Sequence, residues 1–152
     1  MRVSFWLCWF LSFLLVNEYL SEFFLAMFVG KHSVVKSWHI ISSPFVFDSY
    51  LFSAMFRAIP YVMIAFIVIT TGLKTTVHGK TALWFALITI AVIHFWGYWD
   101  MQHSFYTPAR TSSTAGLAVI FIPIHAIWLS GIGGIIGYTL SLARQKLTIT
   151  PK

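Results

Sequence analysis

The sequence predicts an all-α chain of four long apolar helices in an antiparallel bundle, and three observations predict it. The 152 residues are 59% hydrophobic and only 9% charged, against about 25% charged for an ordinary soluble domain. The mean hydropathy is +0.82. The apolar residues gather into four stretches, at 3–29, 49–73, 81–99 and 113–142, separated by short polar joins. About 20 helical residues cross a hydrocarbon core of about 30 Å, so each stretch is long enough to span a bilayer. The expected class is an integral membrane protein with a single transmembrane domain over residues 1–152.

The first stretch, 3–29, follows Arg2 and resembles a signal sequence at its start. No small-residue cleavage site follows, and apolar character resumes at Tyr19 and Leu20, so it reads as one uncleaved spanning helix. At about 1.5 Å per residue it is longer than the hydrocarbon core and must tilt or protrude. Asn17, Glu18, Ser21 and Glu22 share one of its faces at i, i+4 spacing. The join at 30–48 places Val34, Val35, Trp38 and Ile41 on one helical face, with Lys31, His32, Lys36 and His39 among the polar partners. That pattern predicts a short interfacial helix between the first two spans, ended by Ser42, Ser43 and Pro44.

Asp48 or Ser49 is placed to cap the second span, 49–73. This span contains Arg57 and Pro60, and Arg57 shares its face with Ser53, Ala54, Ala58 and Tyr61. The basic join at 74–80 is short enough to force an antiparallel turn. The third span, 81–99, ends in an aromatic belt from His94 to Trp99. The fourth, 113–142, follows Pro108, Arg110 and a capping run of Ser112, Ser113 and Thr114. Pro123 interrupts it, and Ser130, Gly133, Gly134 and Gly137 form small-xxx-small pairs that predict close helix packing. The tail from Ala143 onward is expected to fray.

Orientation follows from Lys and Arg. Arg2, Lys74, Lys80, Arg144, Lys146 and Lys152 fall on one side of a four-span chain, and Lys31, Lys36 and Arg110 on the other. The positive-inside rule then puts both termini in the cytoplasm, and a bacterial cytoplasmic (inner) membrane is the expected location. The net charge of +6 is distributed as topology requires and forms no basic run, so no nucleic-acid partner is expected. The single cysteine, Cys8, excludes a disulfide framework.

The candidate site is a polar cluster at membrane depth. A lone charge there costs at least a few kcal/mol and needs a partner or a water-filled cavity. Glu18, Glu22 and Arg57 fall at matching depths on consecutive antiparallel spans, which predicts an ion pair between Arg57 and one glutamate. His94 and His125 are ligand or relay candidates, since histidines on facing helices can hold haem. Their depths differ by roughly 10 Å, however, and His125 points about 130° away from the small-residue stripe at about 100° per residue. Asp100 and His103, near His94, have metal-ligand spacing without a ligand motif.

There is no phosphate-binding glycine loop, no Cys pair, no H-E-x-x-H and no serine triad. The residues therefore point to a non-enzymatic protein without a cofactor or metal. It would act through helix–helix contacts, as an accessory subunit or an immunity-type protein, with the lipid bilayer and a membrane-protein partner or a second copy as its neighbours. The alternatives are a small oligomeric transporter or proton-coupled carrier using Glu18, Glu22 and Arg57, and a haem-binding membrane redox protein.

Overall fold

A computed structural model describes residues 2–43, 46–107 and 117–149, and the described residues contain six α-helices and one 3-10 turn. The helices are α1 (Val3–Leu15), α2 (Glu18–Phe28), α3 (Val34–Ser42), α4 (Phe47–Thr70), α5 (Val77–His103) and α6 (Ala118–Ile149). The 3-10 turn, Gly72–Thr75, joins α4 to α5. The all-helical class is as the composition predicts. Three helices, α4, α5 and α6, are each long and apolar enough to cross a membrane, and the count reaches four if α1 and α2 together form one broken span.

The first predicted helix requires correction. The stretch 3–29 is two helices, bent by 66° at the break. The cause is local. Asn17 adopts an extended conformation, and its side chain accepts from the Leu20 amide at 2.9 Å, capping a new helix. Glu18 follows in the first turn, where a carboxylate complements the exposed N–H groups. Asparagine is among the best N-caps, and here its cap overrides the apolar continuity on either side.

The remaining boundaries shift by a few residues. A helix does occupy the 30–48 join. It is α3, capped by Ser33 and packed on α2. Helix α4 begins after Val46 with no side-chain cap; Asp48 lies inside the first turn and Ser49 caps nothing. Pro60 sits buried within an unbroken α4. Helix α5 starts earlier than predicted, capped by Thr76, and continues past the aromatic belt through Asp100 to His103. Helix α6 extends through Ile149, so the tail from Ala143 is helical over most of its length. The predicted caps Ser112, Ser113 and Thr114, with Pro108 and Arg110, lie outside the described residues.

The centre of the bundle is α5, which packs on α1, α2, α4 and most extensively α6. Its inward face supplies Leu83, Ala86, Leu87 and Ile90 to a core shared with Phe5, Tyr61, Ile64, Val68 and Ala126. The α5–α6 seam is set by the predicted small residues. A β-carbon at Gly133 would collide with Thr89 Oγ1, and one at Gly137 would lie 2.7 Å from Phe85 Cβ. Gly134 faces Ala82 and Ala86 at ordinary contact distance, and Ser130 turns its hydroxyl back to the Ile127 carbonyl. The small residues let the two backbones approach, as such stripes do in lipid. Farther along the seam, Gly97 gives Ile122 of α6 the room a side chain would take.

Candidate functional site

The bend between α1 and α2 carries Glu18 into the interior. Its Oε2 accepts from Arg57 Nη1 at 3.1 Å and from Ser53 Oγ at 2.9 Å. Arg57 is 0% exposed and the Glu18 side chain 13%. Arg57 also donates from Nη2 to Tyr50 Oη at 3.4 Å. Its guanidinium lies 5.4 Å from the Phe13 ring centroid and 5.5 Å from that of Tyr50, within cation–π range. The pair is therefore clamped by α1, α2 and α4 together. Ser53, Arg57 and Tyr61 recur at i, i+4 along α4 and are all buried, which is the face the sequence singled out.

Of the two glutamates, Glu18 meets the arginine. Glu22, one turn farther along α2, interacts with the Tyr106 hydroxyl just beyond α5. Burial, and then the Glu22 carboxylate, push the Tyr106 phenol above its ordinary value of 10.0.

Beyond the ion pair the polar interior continues as a row of neighbouring, mutually tilted rings. Tyr61 and His94 lie 5.7 Å apart, and His94 and Tyr98 6.0 Å apart, between ring centroids. His94 is fully buried, with Nδ1 2.8 Å from the Ile90 carbonyl. A carbonyl only accepts, so Nδ1 holds the proton and Nε2 presents a lone pair. Arg57 Nε, Tyr61 Oη, His94 Nε2, Tyr98 Oη and Gln102 Oε1 are buried without a hydrogen-bond partner among the described residues. Such groups are uncommon in folded proteins. Sequence reasoning identified Arg57, Glu18 and His94 here. It passed over Tyr50, Tyr98 and Gln102, whose polar role depends on which neighbours α1, α2 and α4 bring to α5.

His94 and His125 are not brought together. His94 faces α4 inside the bundle, whereas His125 is exposed on the outward face of α6, with its ring 6.1 Å from that of Trp128. Among the described residues no group of three or more His, Cys, Asp or Glu side chains is placed to hold a metal ion. Asp100 and His103 lie one turn apart at the end of α5.

Two features of the α4–α5–α6 half had no sequence signal. His78 lies between Ser141 Oγ at 2.8 Å and Gln145 Oε1 at 2.9 Å, tying the start of α5 to the end of α6. These partners are more than sixty positions away in the chain. An open cleft of about 440 Å³ runs between α4 and α6, lined by Pro60, Met63, Ile64, Ser130, Gly131 and Gly134 among others.

Compared with protein-family models, curated proteins and solved structures, the chain matches none.

Proposed function

We propose that this is a small multi-pass membrane protein that performs no chemistry of its own and acts through helix–helix contact, as an accessory subunit or an immunity-type protein. In this reading α4, α5, α6 and the bent α1–α2 pair make four crossings. Both termini are cytoplasmic, and the membrane is a bacterial inner membrane. The observation that carries the reading is the outward face of α6. His125 stands exposed there between Phe121 and Trp128, themselves 52% and 53% exposed. An ionisable side chain within a span ordinarily faces protein or water, so this face is suited to a protein neighbour. The Glu18 and Arg57 charges inside the bundle, by contrast, neutralise each other within the chain.

The test is the mass of the assembly, measured by light scattering in mild detergent and in lipid nanodiscs. The reading expects a species larger than the 17.3 kDa chain. A lone monomer in both environments refutes it. A C-terminal reporter that proved active only outside the cytoplasm would overturn the orientation.

A second reading, a proton-coupled carrier, is favoured by one specific observation, the buried Tyr61, His94 and Tyr98 atoms that have no hydrogen-bond partner among the described residues, beside the Glu18–Arg57 pair. It predicts that Glu18→Gln and Glu22→Gln abolish proton-coupled flux in proteoliposomes. Unchanged flux in both variants removes it.

A further inference from the structure

The outward face of α6 holds an acceptor and a donor that the chain does not pair with each other. His125 Nδ1 lies 2.8 Å from the Phe121 carbonyl. The proton therefore sits on Nδ1, and the exposed Nε2 is an acceptor. One turn farther along the helix, Trp128 Nε1 can only donate. Neither Nε2 of His125 nor Nε1 of Trp128 has a hydrogen-bond partner among the described residues. Phe121, Ile132 and Ile135 continue the same stripe, at 52%, 45% and 66% exposure.

This arrangement is self-complementary. A twofold axis makes residue i of one copy meet j of the other, and j meet i. Two copies inserted with the same topology present their α6 helices in parallel, and residues three or four apart interleave across such a seam. Trp128 is displaced from His125 by about 4.5 Å along the helix axis, a step that an indole ring spans. Lipid tails offer Nε2 no donor, whereas a second copy offers one at the required position.

We propose that two copies of this chain pair through α6 about a twofold axis, Trp128 Nε1 of each donating to His125 Nε2 of the other. This rests on the reading of α6 as a membrane span that works by helix contact, and it names the partner as the chain itself.

The experiment uses the full chain with Cys8→Ser and Ile132→Cys, oxidised in native membranes, with energy transfer between labelled copies in nanodiscs giving the dimer constant. Cross-linking at Ile132 is expected. Each substitution removes both bonds of the dimer, so His125→Ala and Trp128→Phe should each weaken it on the order of tenfold. Their combination should be no worse than either alone. His125→Gln, which keeps an acceptor, should recover part of the loss. Both side chains are exposed, so the variants should fold normally. No cross-link at Ile132, or a dimer constant unmoved by Trp128→Phe, overturns the pairing. A larger assembly built with a different protein overturns it too, while leaving the contact reading standing. Release of the chain by alkaline carbonate instead refutes the membrane reading beneath both.

Discussion

Removing the carboxylate of Glu18 should be among the most damaging single changes in this chain. Arg57 is fully buried, and among the described residues its acidic partner is Glu18. Glu18→Ala strands the guanidinium with Tyr50 Oη at 3.4 Å and the Phe13 and Tyr50 rings. It also takes the acceptor from Ser53 Oγ. Breaking one end of a buried pair costs about 3–5 kcal/mol, because the other charge stays behind. At about 2–4 °C per kcal/mol for a chain of this size, the melting temperature should fall by roughly 6–20 °C in detergent. Arg57→Met in the Glu18→Gln background removes both charges and replaces the guanidinium by an apolar chain of similar length. Such double replacements are often nearly neutral, so the double variant should be more stable than Glu18→Ala by about 2 kcal/mol or more. Thermal scanning of the parent, Glu18→Ala and the double variant in one detergent decides the matter. A double variant no more stable than Glu18→Ala, or a single variant within about 1 kcal/mol of the parent, would refute the assignment of a charge penalty to this pair.

Four further outcomes are expected. Gly137→Leu should lower thermal stability by about 1–3 kcal/mol through overpacking against Phe85. Gly131→Ala, with open space around its β-carbon, should be neutral or stabilising by up to about 1 kcal/mol; the opposite order in a melting experiment would contradict the α5–α6 seam. Asn17→Ala should cost about 0.5–2 kcal/mol and lessen the 66° bend, which distances between spin labels on α1 and α2 can measure; an unchanged angle would locate the cause elsewhere. The Tyr106 phenol should ionise above 10.0, because burial and then the Glu22 carboxylate oppose its charge. With the folded value raised, its contribution to stability is complete below the unfolded pKa and is lost as pH rises through the folded one. A difference titration against Tyr106→Phe that showed ionisation at or below 10.0 would exclude this environment.

Much of this architecture follows from one-dimensional pattern. Unbroken apolar length marks α4, α5 and α6 as helices able to cross a membrane, since a backbone that crosses lipid has to satisfy its own polar groups and helices do so locally. The small-residue stripe announced a close helix contact, because glycine spacing along a helix dictates which face can approach a neighbour. The meeting of Arg57 with a glutamate was also legible, because a buried charge is costly enough to demand its opposite at the same depth. Three things awaited the tertiary structure. Asn17 could have been one more polar residue on a long helix, and only the folded chain made it a cap that turns Glu18 inward. The choice of Glu18 over Glu22 followed from that turn, since the two lie on the same helix at equivalent spacing. Sequence spacing already set His94 and His125 at different depths, but that His94 turns into the bundle while His125 stands exposed on α6 depended on helix rotation, which spacing does not fix. Sequence determines what each segment can bury. Which polar groups then meet depends on a few degrees of bend and rotation, set jointly by residues far apart in the chain.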